Sequence, residues 1–227
     1  MIIAVPDFVE ELEPHSHAVY LRRVAQRAWE EGPRAGMEPL RLYLAYCALG
    51  GLAVLGELGA AEAAATRVGL QRMFALEGGL HVGQTPWLRL SAERGPDLVS
   101  LFFLAAALDL VDATELLPTR EVLRWLEAFE QRAQRRWDLR AVYAFACLSE
   151  RFDRAVAPSV RVWAIAGALA CRGFDGGYAF EPGCESHAAA TFLCLAVLCL
   201  LGEPAPQRLL SVGWLAARQA DWGFAVG

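Results

Sequence analysis

Uncharged apolar stretches alternate with two-faced helical patterns along the chain. The longest uncharged runs cover residues 42–56 and 188–202, 15 residues each. Polar and apolar residues elsewhere recur at helical spacing, which predicts amphipathic helices over 62–76, 119–136, 158–171 and 206–220. A helix that crosses a membrane needs roughly 20 apolar residues. The apolar runs therefore predict interior helices of a helical assembly, and no transmembrane segment.

Four segments share a layout that indicates an internal repeat. Each begins with an acidic residue before an Ala/Leu-rich run, and the acids are Glu38, Asp97, Asp138 and Glu185. The residues five positions later are Tyr43, Phe102, Tyr143 and Ala190, and in the fourth segment Phe192 follows two residues further on. An acid near a helix start is typical of an N-cap and complements the helix dipole. The acids therefore mark the starts of four apolar helices.

The alternation of apolar and amphipathic helices predicts stacked helical hairpins. Prolines at 118, 158, 204 and 206 stand where helices begin, and glycines at 78–79, 173 and 176–177 stand where they end. A closed double ring, with the apolar helices inside, covers them better than an open array. We therefore expect an all-α fold, an α/α barrel (toroid), forming a single domain over residues 1–227. An amino-terminal helix over about 16–31 precedes about four hairpins over about 38–227.

Composition narrows the class of protein. The chain has 227 residues, of which 56% are hydrophobic, and a net charge of -5. This content is enough for a core and argues against disorder, and the acidic balance argues against nucleic acid as a partner. The six cysteines form no Cys-x-x-Cys pair, so we expect reduced thiols, with those at 47, 147, 194 and 199 buried in apolar runs. The amino terminus has no secretory signal pattern, and a cytoplasmic location is expected.

Several stretches carry a resemblance to a known family. The stretch GFDGGYAFEPGCESHAAATF, residues 173–192, resembles the glycine-rich turn, Glu-Ser/Ala-His and Thr-Phe helix of protein prenyltransferase β subunits. The segments at 16–33, 38–58 and 137–152 are similar to the type I geranylgeranyltransferase β subunit. The resemblance covers most of residues 7–226. Farnesyltransferase and Rab-type β subunits share much of this pattern, so the family is more strongly indicated than the subfamily.

The resemblance implies a function. In that family an α/α barrel binds an isoprenoid diphosphate in its central cavity, and zinc activates the cysteine thiolate of a Ca1a2X carboxy terminus. A metal-bound thiolate is a nucleophile at neutral pH, and cationic or hydrogen-bonding groups stabilise the departing diphosphate. The expected function is therefore that of a prenyltransferase β subunit, transferring geranylgeranyl from its diphosphate to a Ca1a2X protein as a heterodimer with an α subunit.

The resemblance also assigns roles to single residues. His187 matches the histidine that hydrogen-bonds the diphosphate, with a helix-start histidine satisfied by a backbone carbonyl as the alternative. Arg140 matches the arginine at the floor of the peptide and lipid cavity. Tyr143 and Phe192 would line the same cavity, with a core tyrosine as the alternative for Tyr143. Tyr43 falls where the geranylgeranyl enzymes keep a small residue and the farnesyl enzymes a tryptophan, which leaves the lipid length open with a lean to geranylgeranyl.

The family's zinc site lacks a matching ligand set in this sequence. The family places a Gly-Arg-Pro-x-Lys-x-x-Asp-x-Cys-Tyr segment, and later a histidine, beyond the position of DWGFAVG, residues 221–227. The pairs Cys184/His187 and His15/His17 supply two ligands each, whereas a catalytic zinc takes three protein ligands. No catalytic or metal residue is therefore assigned, and the barrel is expected to be incomplete, with an apolar face left for a partner, first of all the α subunit.

Alternative functions remain. The first is a non-catalytic helical-repeat protein that binds an isoprenoid or an α subunit, and the second is a farnesyltransferase β subunit. A reading frame that continues past Gly227 into Asp-x-Cys-Tyr would favour an enzyme, and a stop codon there would favour the binding protein. A terpene-cyclase toroid would need an Asp-x-Asp-Asp run, which Asp109 and Asp112 do not supply.

The missing ligand set generates a prediction. The purified 227-residue chain is expected to hold no stoichiometric zinc and to transfer no lipid to a Ca1a2X peptide. Metal analysis of the purified chain and a peptide prenylation assay check this expectation. One zinc per chain would contradict it.

Overall fold

The computed structural model describes residues 14–30, 38–76, 89–91, 95–132, 137–220 and 223–224. Helices dominate these residues, which confirms the all-α prediction. The helices are α1 (Pro14–Glu30), α2 (Glu38–Val54), α3 (Ala60–Leu76), α4 (Leu98–Leu110), a 3-10 turn (Thr114–Leu116), α5 (Thr119–Glu130), α6 (Leu139–Arg151), α7 (Pro158–Ala170), α8 (Ala188–Leu200) and α9 (Arg208–Ala216). Two short antiparallel ladders join β1 (Arg89–Ser91) to β2 (Gly95–Pro96) and β3 (Gln219–Ala220) to β4 (Gly223–Phe224).

Two of the predicted acidic residues cap the helices that follow them. Asp97 Oδ1 accepts hydrogen bonds from the amides of Val99 at 3.1 Å and Ser100 at 3.2 Å, at the start of α4. Asp138 Oδ1 likewise accepts from the backbone amides of residues 140 and 141 at 3.1 and 3.3 Å, at the start of α6. These bonds satisfy amides that the first helical turn leaves unpaired. The prediction that acids open these two helices is confirmed.

The fourth apolar helix begins differently. His187 is the N-cap of α8, and its Nδ1 accepts a hydrogen bond from the Ala189 amide at 3.1 Å. Glu185 lies before the helix and is exposed. The prediction that Glu185 opens this helix is therefore wrong, because the imidazole takes the capping place.

Two amphipathic helices are shorter than their apolar patterns predict. Helix α5 ends at Glu130, although the pattern continues to residue 136. Helix α9 covers Arg208–Ala216 instead of 206–220, because Gln207 has a left-handed backbone with φ of 51° and the chain then pairs β3 with β4. The glycines at 78–79, which are predicted to end a helix, fall outside the described residues.

The chain divides into two compact units, Met1–Val122 and Leu123–Gly227. In the first unit α2 packs against both α1 and α4, and α1 also packs against α3. Its buried leucines include Leu42, Leu49 and Leu52 of α2 and Leu101 and Leu104 of α4. The single domain expected over residues 1–227 stays a prediction.

In the second unit α8 packs against α6 and α7. The core there combines Leu139 and Val142 of α6, Ala164 and Ala168 of α7, Tyr178 of the following turn, and Cys194 and Val197 of α8. The boundary between the units falls within α5, whose residues Val122, Trp125 and Leu126 are buried. These contacts come from apolar residues at helical spacing, as the sequence pattern requires.

The apolar helices are not covered on every side. Phe192 and Cys199 share an exposed face of α8, and Tyr43 and Cys47 share an exposed face of α2, where four or seven residues bring side chains to the same side. The prediction that the thiols of Cys47 and Cys199 are buried is therefore wrong, while Cys194 is buried as predicted. Within the described residues no helix is long and apolar enough to cross a membrane.

Two helical glycines give a matched test of this packing. A Cβ at Gly167 of α7 would overlap the ring of Trp137, whereas a Cβ at Gly213 of α9 would meet no atom within 4 Å. We expect Gly167→Ala to lower the free energy of unfolding by about 1–3 kcal/mol through overpacking. Gly213→Ala should raise it by about 0.5–1 kcal/mol, since alanine favours the helix. Urea unfolding of both variants checks this, and changes of the same sign would contradict the packing around Trp137.

Candidate functional site

The glycine-rich turn between α7 and α8 folds back on itself. The Gly173 amide donates to the Gly177 carbonyl at 2.8 Å, and the Ala179 amide donates to the Cys171 carbonyl at 2.9 Å. At its end the His187 amide donates to the Tyr178 carbonyl at 2.8 Å. These backbone bonds fix the path of the turn and deliver His187 to the start of α8.

The carboxylate of Asp175 is the centre of this turn. Its Oδ1 accepts from Ser186 Oγ at 2.7 Å and from the Gly177 amide at 3.1 Å, and its Oδ2 accepts from Trp214 Nε1 at 2.6 Å. Arg218 Nη2 lies 4.0 Å from Oδ2. The carboxylate therefore joins the turn to α9 and to the segment before α8.

Two glycines allow the close approach of α9 to this turn. Gly176 has φ of 93°, a backbone conformation that residues with a Cβ rarely adopt. A Cβ there would also lie 3.1 Å from Leu210. A Cβ at Gly177 would lie 2.5 Å from the Trp214 ring and 2.6 Å from Ser186. The glycine pair is thus required by the packing of α9 on the turn, and Trp214 of α9 in turn donates to Asp175.

The surroundings of Asp175 favour its ionised form. Desolvation alone would raise the pKa of Asp175, but the hydrogen bonds from Ser186, Trp214 and Gly177, together with the charge of Arg218, outweigh it and lower the pKa. The group is therefore a carboxylate at neutral pH, with its oxygens occupied by donors of the protein. Its role is to position the turn.

His187 presents one ring nitrogen, Nδ1, to the start of the helix. Because Nδ1 accepts from the Ala189 amide, the N–H donor of the ring is on Nε2. His187 is thus a helix-start histidine bonded to the backbone, as the alternative reading expected, but its partner is an amide and not a carbonyl. His187 is half-buried, with its ring centre 5.3 Å from that of Phe180.

Arg140 reaches the same phenylalanine from α6. Its guanidinium carbon lies 4.6 Å from the centre of the Phe180 ring, within the range of a cation–π contact. The Phe180 carbonyl accepts from Trp137 Nε1 at 3.1 Å, which fixes the backbone beneath the ring. Arg140, Phe180 and His187 are called the Phe180 cluster below. It brings together two residues that the sequence singled out separately.

An aromatic pair lies about one helical turn further along α6 and α8. The rings of Tyr143 and Phe192 are 5.9 Å apart in an edge-to-face arrangement, and Phe192 is 58% exposed. Tyr143 lies three residues after Arg140 and therefore on the same side of α6. Tyr43 lies in the first unit, where its ring is 5.1 Å from that of Phe103 and is 45% exposed.

The thiol that follows Tyr143 by one turn is not activated. Burial raises the pKa of Cys147 to about 11, although a hydrogen bond with Tyr143 acts in the opposite direction. The thiol is therefore protonated at neutral pH and is a poor nucleophile. It extends the apolar side of α6 beyond the aromatic pair.

A cleft of about 470 Å³ lies on the glycine-rich turn. Its polar lining includes Arg172, Asp175, Cys184, Glu185, Ser186 and Arg218. His187 follows directly after the last lining residue in the chain but is outside the lining. The cleft therefore adjoins the start of α8 but is not lined by His187, the residue predicted to bind the diphosphate.

The described residues do not fit the family's metal. Among them, no three side chains of His, Cys, Asp or Glu come together so that they could hold an ion. Cys184 and His187 lie in one turn but belong to no such group, and the side chain of His15 falls outside the described residues.

The sequence pattern missed the residues that hold the site together. Phe180 stands in an irregular turn seven residues before His187, where periodicity gives no signal. Asp175, Ser186 and Trp214 are far apart in sequence, and the bond from Trp214 to Asp175 forms only when α9 packs on the turn. The glycines at 176 and 177 were the available signal, since glycine is the residue that tolerates a close neighbour where a Cβ would clash.

Comparison with known proteins identifies relatives. The family model described as the prenyltransferase alpha-alpha toroid domain matches residues 12–225. The geranylgeranyl transferase type-2 subunit beta of Candida albicans is 33% identical over 87 residues, which are 36% of this chain and 25% of that protein. The Saccharomyces cerevisiae protein of the same name is 36% identical over 94 residues, 38% of this chain and 27% of that protein. The chain thus matches about a quarter of the length of these curated relatives.

The Asp175 network generates a prediction about pH. A depressed folded-state pKa means that this carboxylate stabilises the fold above the unfolded-state pKa of about 4, and that the contribution is lost as pH falls through the lower folded-state pKa. Asp175→Asn should lower the free energy of unfolding by about 1–2 kcal/mol at neutral pH, because the amide cannot accept from every donor. The difference from wild type should shrink below about pH 4.

Urea unfolding over a pH series measures this difference. The control is Asp153→Asn, an exposed aspartate whose backbone has φ of 47°, a conformation that asparagine tolerates. The control should follow the wild-type pH dependence. A difference between wild type and Asp175→Asn that stays constant into the acidic range would contradict the role of the ionised Asp175.

Proposed function

We infer the function of this chain from its family, for it belongs to the prenyltransferase alpha-alpha toroid family. We propose that it acts as a β-subunit-like chain of a protein prenyltransferase and binds an isoprenoid diphosphate at the Phe180 cluster. The observation that carries the proposal is the meeting of Arg140 and His187 around one ring, at the starts of two neighbouring helices.

The diphosphate is the group that these donors suit. Nε2–H of His187 is a donor left over from helix capping, and the Arg140 guanidinium supplies a positive charge with several N–H groups. Helices α6 and α8 both begin here, and helix starts favour negative charge. The carboxylate of Asp138, the nearest acid in the chain, is engaged with the amides of α6.

The lipid would lie along the apolar side of the same two helices. Tyr143 and Phe192 follow the cluster by about one turn, and Cys147 and Cys199 follow them at helical spacing. This order places donors at one end and apolar side chains along the next two turns. A ligand with a charged head and a long hydrocarbon tail matches that order.

We propose geranylgeranyl as the lipid, with an α subunit as the partner. Both curated relatives are named geranylgeranyl transferase subunits, which supports the longer lipid and a second subunit. Both relatives are named type-2, so their names support geranylgeranyl transfer but not the type I enzyme. Transfer to a Ca1a2X carboxy terminus is therefore proposed from the sequence resemblance alone. Tyr43 is the residue that favours farnesyl instead, because the resemblance matches it to a position where the geranylgeranyl enzymes keep a small residue.

The test separates the two roles of His187. His187→Asn keeps an N-cap acceptor but removes the Nε2 donor, whereas His187→Ala removes both. We expect both variants to bind geranylgeranyl diphosphate about 10 to 100 times more weakly, the worth of a hydrogen bond to a charged group. Only the alanine variant should also lose helix stability, by about 1 kcal/mol. Calorimetric titration and urea unfolding of the full chain measure the two effects.

The matched control is His17→Ala on α1, where the histidine is exposed and lies in the first unit. Its affinity for the lipid diphosphate should equal that of the wild type. Equal affinity of His187→Asn and wild type would remove His187 from the diphosphate site. Tighter binding of farnesyl diphosphate than of geranylgeranyl diphosphate by the wild type would overturn the lipid assignment alone.

A further inference from the structure

Trp137 lies at the junction of α6, α7 and the turn that leads to α8. It directly precedes Asp138, the N-cap of α6, and its ring rests on α7, where a Cβ at Gly167 would overlap it. The ring of Trp163, also in α7, lies 5.5 Å away in an edge-to-face arrangement. Packing against α7 therefore fixes the half-buried indole in one place.

The indole N–H of Trp137 holds the backbone of Phe180. Its Nε1 donates to the Phe180 carbonyl at 3.1 Å, and Cys171 Sγ donates to the same oxygen at 3.8 Å. Within the described part of the chain no backbone amide donates to this carbonyl. A thiol is a weak donor, so the indole supplies the stronger of the two bonds. The position of Phe180 thus depends on a side chain 43 residues earlier in the chain.

Phe180 in turn orients Arg140. The Arg140 side chain is exposed, and among the described residues no carboxylate forms an ion pair with it. An exposed arginine adopts many rotamers, and fixing one of them when a ligand binds costs free energy. The Phe180 ring, 4.6 Å from the guanidinium carbon, favours one arrangement before any ligand binds.

We propose that Trp137 is a positioning residue of the diphosphate site, and that it acts on Arg140 through Phe180. The inference rests on the proposed function, because it takes the Phe180 cluster as the place where the diphosphate binds. In this role Trp137 touches neither the diphosphate nor the lipid. Loss of its N–H is therefore expected to weaken binding of the charged head and to leave binding of the hydrocarbon tail unchanged.

The experiment removes only the indole N–H. Replacement of Trp137 by β-(3-benzothienyl)alanine, introduced into the full chain by nonsense suppression, keeps a bicyclic ring of the same shape and puts sulfur in place of the N–H. We expect this variant to bind geranylgeranyl diphosphate about 3 to 10 times more weakly, the worth of one neutral hydrogen bond. Geranylgeraniol, which has the same tail without the diphosphate, should bind wild type and variant equally. Calorimetric titration measures the diphosphate, and equilibrium dialysis with tritiated geranylgeraniol measures the alcohol.

A double-mutant cycle with Arg140→Gln tests the route of the effect. In the Arg140→Gln background the same replacement of Trp137 should weaken diphosphate binding by a smaller factor than it does in wild type. The reason is that the guanidinium oriented by Phe180 is then absent. Equal factors in the two backgrounds would mean that Trp137 acts independently of Arg140, and would overturn the proposal.

The matched control places the same analogue at Trp125 of α5. Its Nε1 is buried and has no hydrogen-bond partner among the described residues, so the replacement breaks no described bond. The control should keep the wild-type affinity for both ligands. Circular dichroism and urea unfolding verify that every variant is folded under the conditions of the titration.

The outcomes separate this inference from the proposed function. If Arg140→Gln and His187→Asn bind geranylgeranyl diphosphate as tightly as wild type, the diphosphate does not bind at the Phe180 cluster, and both proposals are wrong. If those two variants bind more weakly while the Trp137 variant equals wild type, only the positioning role is overturned. Loss of affinity for the diphosphate and the alcohol by the same factor also overturns that role, because the replacement then disturbs the fold in general.

Discussion

The site depends on one constraint, the attachment of the Tyr178 backbone to the first turn of α8. The Tyr178 amide donates to Thr191 Oγ1 at 2.9 Å, and its carbonyl accepts from the His187 amide at 2.8 Å. Both Tyr178 and Thr191 are fully buried, so these bonds form where water cannot replace them. With Tyr178 fixed, Phe180 must pass beside the start of α8. The Phe180 cluster follows from this geometry, because its central ring is two residues from the anchor.

The cap of α8 has an electrostatic consequence for that cluster. Helices α4 and α6 are capped by aspartates, whose negative charge complements the unpaired backbone amides of the first helical turn. Helix α8 begins instead with a neutral acceptor, Nδ1 of His187, and the same ring keeps a donor on Nε2. An aspartate at this position would cap the helix equally well but would repel an anionic ligand. The imidazole therefore combines helix capping with a donor that the proposed diphosphate site would use.

The two ends of α8 have different polar chemistry, and both are tied to α6. At the amino end the donors of Arg140 and His187 are gathered around an aromatic ring. At the carboxyl end Ser149 and Arg154 carry buried donors beside the last turn of the helix. Between them the core of the second unit, with Val142, Cys194 and Val197, is apolar. An apolar core thus separates the polar groups at the two ends of the α6–α8 pair.

The sequence by itself determined the local features of this protein. Apolar periodicity located the helices, and Asp97 and Asp138 located two helix starts, because both signals depend on neighbours within one or two turns. The motif around His187 pointed to the family. The tertiary structure alone decided that His187 caps α8 in place of Glu185, that Phe180 joins Arg140 to His187, and that Cys47 and Cys199 are exposed. These outcomes depend on which faces of separate helices meet, and no pattern within one helix encodes that choice.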